Sequence, residues 1–292
     1  MSIHLSVKRC VGTAAMITSA ALWLGACTTP GTGAPALSST ATPSLSPERI
    51  AEILASPDRS DADRVNDKRR MPAQMLEFIG IRPGMVALDL SAGGGYTTEL
   101  LARSSGPAGR VYGQSAPRIQ RTPPAAPEGA AAPVAAAAPA SAPPRPSPIA
   151  LAARAANPRA GNIVAVVQPF ETPVPMEVAS SGLDLVTLMF NYHDLGHMGV
   201  DRSKMNQAVF AALKPGGLYV IADHSGRAGT GISESGTLHR IEESFLRAEV
   251  EQAGFKLLEA GNFLHNPSDP RDQNTPNPPQ PKDEFVLKFV KP

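Results

Sequence analysis

From residue 72 to the C-terminus, apolar positions follow two alternating rhythms. Compact apolar runs of strand length alternate with stretches where apolar residues recur every three or four positions, the spacing of one helix face. VALDL (86–90), RVYGQ (110–114), NIVAVVQ (162–168), LDLVTLMFN (183–191) and LYVIADH (218–224) predict strands. FKLLEAGNF (255–263) and EFVLKFV (284–290) predict two more with no helical stretch between them. Helices are predicted over TTELLARS, SKMNQAVFAALK and IEESFLRAEVEQAG, the last stopped by Gly254. Strand–helix alternation implies an α/β fold with a doubly wound, mostly parallel sheet. The two uninterrupted strands at the end predict a C-terminal antiparallel pair, which makes a seven-stranded sheet.

Upstream, Ser46-Pro47-Glu48 reads as a helix start, with Ser as N-cap and Pro at the first helical position. Ile50, Ile53 and Leu54 then share a face. The charged stretch DRSDADRVNDKRR (58–70) reads as a solvated helix or as a flap over a site. Pro72 opens another helix with Met75, Leu76 and Ile79 inward, and Gly80 stops it. Residues 116–150 are mostly Ala and Pro and cannot pack as a crossover helix, because proline interrupts every run. They read as a disordered insertion, after which ALAARAAN restores the crossover helix.

The first residues carry a different signal. Lys8 and Arg9 precede an apolar stretch at 10–24, shorter than the about 20 residues that span a bilayer. The stretch ends in Leu24-Gly25-Ala26-Cys27, which resembles a bacterial lipoprotein signal whose cysteine is acylated; ordinary cleavage near Ala26 is the alternative. The expected layout is a signal at 1–26, a disordered tether at 27–46 and one domain at 47–292. It places the mature chain on the periplasmic side of a bacterial membrane, held by the lipid on Cys27. The only other cysteine, Cys10, lies within the signal, so no internal disulfide is expected. Removing Lys8 and Arg9 takes the formal charge from +1 to −1, and without a basic block nucleic acid is excluded as a partner.

Asp89-Leu90-Ser91-Ala92-Gly93-Gly94-Gly95 sits where a strand becomes a helix, a turn at which backbone N–H groups can approach a ligand. A phosphate-gripping loop would continue Gly-Lys-Ser/Thr, but the chain continues Gly95-Tyr96-Thr97. A dinucleotide fingerprint would put its third glycine at Thr98 and an acid about 20 residues on, where Gln114 stands. A ligand without a phosphate needs neither feature.

IRPGMVALDLSAGGGYTTELLA, with its Pro-Gly turn, strand-end acid and glycines, resembles the first motif of class I S-adenosylmethionine-dependent methyltransferases. ALKPGGLYVIADH is similar to a later motif of that superfamily, and GLDLVTLMFNYHDL to the strand between them. FNYHDL, ADHS, LHRIEE and the terminal FVLKFVKP resemble an exported, lipoprotein branch of it. The resemblance implies a Rossmann-like fold, S-adenosylmethionine as cofactor and a small-molecule methyl acceptor. It implies cofactor contacts from Asp89, Ser91, Gly93, Gly95, Gln114, Gln168 and Asn191. Ser91 replaces the usual first glycine, and Gln114 replaces the acid that binds ribose hydroxyls. A neutral acceptor in place of a carboxylate implies binding weaker by about 1–2 kcal/mol.

Carboxyl ends of parallel strands line the ligand crevice in such sheets. Those ends carry Asn191-Tyr192-His193-Asp194 and Asp223-His224-Ser225, with His239-Arg240 on the segment beyond. His193 is the expected proton acceptor, oriented by Asp194 or Asp223, with His224 next. Tyr192 reads as a platform or as core, and His265 as a turn residue. Two other readings stay open. One is a metal site built from His193, Asp194, Asp223, His224 and His239; the other is a binding lipoprotein that keeps the fold without catalysis.

Overall fold

The computed structural model describes residues 44–117, 147–180, 182–276 and 280–292. The expected signal, Cys27, most of the tether and the middle of the Ala/Pro-rich insertion lie outside the described residues.

Three helices lead into the sheet: α1 (Pro47–Ala55), α2 (Asp61–Arg70) and α3 (Pro72–Ile79). Ser46 caps α1 by accepting the Arg49 N–H at 3.2 Å, as its position before Pro47 predicts. Then come β1 (Val86–Leu90), α4 (Tyr96–Ser105), β2 (Arg110–Ser115), α5 (Ser147–Ala155) and β3 (Ile163–Val167). The chain finishes with β4 (Leu183–Met189), α6 (Asp194–His197), α7 (Arg202–Ala212), β5 (Leu213–His224), α8 (Glu243–Gln252), β6 (Lys256–Gly261) and β7 (Glu284–Val290).

The seven strands run in the order β3-β2-β1-β4-β5-β7-β6. The pairs among β1 to β5 are parallel, and β7 runs antiparallel between β5 and β6. The fold class is the expected one: α/β, Rossmann-like, mostly parallel, with a terminal antiparallel pair. Strand parity divides the core. Leu88 and Leu90 join one apolar cluster with Val186, Leu188, Val209 and Leu246. Ala87 joins the other, with Ile50, Leu76, Ile79 and Leu101. Asp89 shares Ala87's parity, so its carboxylate points to the α4 side, where Thr98 meets it.

Among the boundaries that differ from the expected ones, three have a visible cause. β4 stops at Met189, because Phe190 turns left-handed at φ 61. β5 starts at Leu213, which pairs with Leu183 ahead of a register shift that absorbs the Lys-Pro-Gly-Gly turn. α5 starts at Ser147, so residues 147–150 belong to the helix and not to the insertion.

The two ends of that insertion meet. Ser115 Oγ lies 2.6 Å from Ser147 Oγ. Deleting residues 118–146 and joining Pro117 to Ser147 through a short Gly-Ser loop is expected to leave the melting temperature within a few degrees, measured by circular dichroism. Insoluble protein after the deletion would mean that the segment supports the core.

Candidate functional site

The strand order reverses between β1 and β4, so the crevice opens at the carboxyl ends of these two strands. From β1 the chain turns through Ser91–Gly95 into α4. Ser91, Gly93 and Gly95 all take left-handed backbone, at φ 54, 55 and 82. Serine therefore adopts the conformation expected of glycine, and hydrogen bonds hold it there. Its N–H donates to Gln114 Oε1 at 2.9 Å and its hydroxyl to Asn191 Oδ1 at 2.5 Å.

The three glycines divide the work. Gly95 is buried, and a Cβ there would lie 2.8 Å from side-chain carbons of Leu151 and Arg154 on α5. Gly93 and Gly94 are exposed. Their carbonyls accept from Ser147 Oγ and Arg154 Nε of α5. Among the described residues, their N–H groups make no hydrogen bond. The loop thus turns its acceptors to the protein and leaves donors for a ligand.

Beneath the loop, Asp89 accepts from the Thr98 and Thr187 hydroxyls at 2.6 and 2.8 Å. Burial raises its carboxyl to about 6, against the lowering effect of those two bonds. Gln114 is fully buried and its amide is engaged at both atoms. Oε1 takes the Ser91 N–H, and Nε2 donates to the Gln168 carbonyl at 2.6 Å. It ties the glycine loop to the end of β3. Gln168 enters this tie through its backbone, and its half-buried side chain lies on the rim.

The histidine rim is tighter than its sequence suggests. His193 is buried: Nδ1 lies 2.6 Å from Asp223 Oδ1, and Nε2 lies 3.1 Å from Asp194 Oδ1. Asp223 also accepts the backbone N–H groups of His193 and His224, at 2.7 and 2.8 Å. Burial alone would lower the His193 pKa, but Asp194 and Asp223 raise it to about 9. The two carboxylates favour the protonated imidazole, which weighs against the expected proton-acceptor role for His193. His224 is shifted the other way, to about 3, by burial. Its Nδ1 lies 2.9 Å from Glu284 Oε1 without hydrogen-bond alignment, and burial raises Glu284 to about 7. His239 is the more open of the three expected histidines, with 39 % of its side chain exposed and Nδ1 2.7 Å from Asp194 Oδ1. Tyr192 is core: it is fully buried, donates to Glu249 and accepts from Asn206. His265 pairs with Asp283 and not with Asp194 or Asp223.

Backbone strain gathers on the same edge. Of the five non-glycine residues with positive φ among those described, Ser91, Phe190 and His239 lie on this rim. Such conformations cost about 1–3 kcal/mol each and persist where the surroundings enforce them.

The charged stretch at 58–70 folds as helix α2, exposed along one face and packed by the other against the edge of the rim. Asp67 accepts the Tyr96 hydroxyl at 2.7 Å, and Arg69 donates to Glu284 at 2.8 Å. The Arg70 guanidinium stacks 3.8 Å from the Phe190 ring centroid. Burial, and then the neighbouring Arg69 charge, lower Arg70 to about 10. Beside α2, a cavity of about 650 Å³ is lined by Lys68, Arg69, Phe263, His265, Lys282 and Glu284. Sequence reasoning missed Arg70, Tyr96 and His197. The signals were present: Tyr96 opens the helix after the glycines, and His197 stands one helical turn after Asp194.

Comparisons with known proteins match this layout. A family model for protein-L-isoaspartate(D-aspartate) O-methyltransferase matches residues 55–121, from the end of α1 to just past β2. Among solved structures, an S-adenosylmethionine-dependent methyltransferase from Aquifex aeolicus aligns with a TM-score of 0.53 at 16% identity. The alignment covers 85% of this chain and 100% of that one. The fold is that of the S-adenosylmethionine-dependent methyltransferases. A chain of the Haloferax volcanii complex formed with the Trm112 methyltransferase activator aligns with a TM-score of 0.51 at 16% identity, over 85% of this chain and 100% of that chain. No curated protein sequence matches significantly.

The glycine loop suits the cofactor that this fold implies. Donors at Gly93 and Gly94 are open, a Cβ at Gly93 would meet nothing closer than the Ser91 carbonyl at 4.0 Å, and Asp89 lies beneath. Gln114 fits the ribose role less well, because its amide already bridges two segments of the protein.

Proposed function

We propose that the chain is an S-adenosylmethionine-dependent methyltransferase that passes the methyl group to a small-molecule acceptor seated on the histidine rim. The observation that carries this reading is the glycine loop: two exposed, uncommitted N–H groups above a buried acid at the switch point of the sheet. The same segment is the one the methyltransferase family model matches. When bound, the cofactor supplies an electrophilic methyl group on a sulfonium. The chain's own part is to hold it on the Gly93 and Gly94 N–H groups, with Asn191 beside them, and to exclude water beneath α2, Arg70 and Tyr96.

The family match ends at residue 121, before β4 and β5 deliver the rim, so its isoaspartyl substrate does not transfer to this chain. The cavity beside α2 is the acceptor's entry. Lys68, Arg69 and Lys282 favour an acceptor with negative charge. The acceptor meets the rim at its open edge beside His239, 39 % exposed, and not at buried His193.

A thermal-shift screen against S-adenosylmethionine, its demethylated product and nucleotides tests this reading. A rise in melting temperature with the first two alone is expected. A rise with nucleotides alone would overturn it, and no rise at all would favour a binding lipoprotein without catalysis.

We also propose that the chain is exported and anchored through acylated Cys27, on the strength of the Leu24-Gly25-Ala26-Cys27 sequence. Cys27→Ala is expected to abolish acyl labelling and to accumulate uncleaved precursor on a gel. Normal processing and release of that variant would refute the anchor.

A further inference from the structure

Several polar side chains converge on one oxygen, Asp194 Oδ1. His239 Nδ1 lies 2.7 Å from it, His193 Nε2 3.1 Å and His197 Nδ1 3.8 Å. His193, Asp194 and His239 each bring a potential ligand atom within 4.8 Å of the others. We propose that they form a binding site for one divalent first-row transition ion such as zinc, through His193 Nε2, His239 Nδ1 and Asp194 Oδ1, with His197 within reach as a fourth ligand. Two imidazoles and a carboxylate suit such an ion.

Supporting contacts are arranged as a metal site requires. Asp223 lies against His193 Nδ1 at 2.6 Å, and a carboxylate on that nitrogen fixes the tautomer whose Nε2 lone pair faces Asp194. The second proton of the imidazolium lies between Nε2 and Asp194 Oδ1, 3.1 Å apart, and a bound ion takes that proton's place. Asn191 Nδ2 donates to Asp194 Oδ2 at 2.8 Å and leaves Oδ1 for the ion. Asn191 itself accepts from Ser91, so two side chains connect the ion to the glycine loop.

The third ligand is held at a cost. His239 sits at φ 52, left-handed backbone that is uncommon outside glycine. Fully buried Arg240 anchors it, with hydrogen bonds to the Ser225 and Gln273 carbonyls and a 2.9 Å pair with Asp269. Metal–ligand bonds of about 2.0–2.1 Å need the ligand atoms spread by a few tenths of an ångström from these contacts. His239, 39 % exposed, has room to make that shift. The site is narrower than the five-residue set read from the sequence. His224 falls outside it, against Glu284, and Asp223 serves as a support and not as a ligand.

Binding of zinc alone tests the proposal and does not depend on whether the cofactor binds. The purified full-length chain, stripped with chelator and dialysed against zinc, is expected to hold one ion per chain by elemental analysis. Zinc is expected to raise its melting temperature. His239→Ala and Asp194→Asn should each weaken zinc at least about 100-fold, more than the loss of an outer partner alone. Glu251→Gln, which breaks a surface pair with Arg247 on α8, should leave it unchanged. His239 is partly exposed, so its variant is expected to fold, and circular dichroism checks that it does. A cobalt-loaded chain should absorb in the visible without a thiolate charge-transfer band, which excludes the cysteines as ligands. Absence of bound zinc, or binding that His239→Ala and Asp194→Asn leave intact, would overturn the site.

Discussion

His193→Ala is expected to destabilise the fold by about 3–5 kcal/mol, the range for removing one partner of a buried ion pair. The side chain lies between two carboxylates, and Asp223 is fully buried. Without the imidazolium, Asp223 keeps two backbone N–H donors, which puts the loss toward the lower end of that range. Urea unfolding at neutral pH measures it. The sequence alone suggests a different outcome, a well-folded protein that has lost only a proton acceptor. A variant as stable as wild type would show that His193 is not clamped in this way.

Valine at Gly95 and at Gly93 is expected to fail for different reasons. At Gly95 the new Cβ meets Leu151 and Arg154 at 2.8 Å, and the backbone sits at φ 82. Left-handed strain and overpacking together cost about 2–5 kcal/mol, so Gly95→Val should unfold at clearly lower urea. At Gly93 the nearest atom is the Ser91 carbonyl at 4.0 Å, which leaves about 1–2 kcal/mol of strain at φ 55. Gly93→Val should fold and lose ligand affinity by at least about tenfold, or about 1.4 kcal/mol. Equal stability for the two variants would refute this division, because it rests on α5 lying against Gly95 and not against Gly93.

The sheet was legible because its strands are short, apolar and separated by strong helix signals. EFVLKFV reads as a strand over 284–290 and is one over those residues. Boundaries slipped where backbone geometry overrode composition. Phe190 is as apolar as the strand before it, and no pattern of side chains announces its left-handed turn. The early start of β5 depends on pairing between Leu213 and Leu183, a tertiary contact invisible to local spacing.

At the site, residue identities were legible and their partners were not. Asp89, Gly93 and Gly95 follow from the strand–glycine–helix motif. The packing of α5 against Gly95 comes from beyond the Ala/Pro-rich insertion, at a distance no motif spans. The clamp on His193 joins the ends of β4 and β5, and its Asp223 partner is 30 residues away. The charged stretch 58–70 left two readings open, a solvated helix or a flap, because its composition does not say which charges find partners. Asp63 and Asp67 of α2 pair inward, with Arg154 and with Arg59 just ahead of the helix, and Arg59 and Asp63 are buried.

Calorimetric titration of the purified chain with S-adenosylmethionine, beside Gly93→Val, tests the cofactor reading most directly. Saturable binding of one cofactor per chain is expected in the wild type, with affinity at least about tenfold weaker in the folded Gly93→Val variant. No heat at millimolar cofactor, or equal affinity in the two proteins, would contradict it and leave the methyltransferase fold without its cofactor.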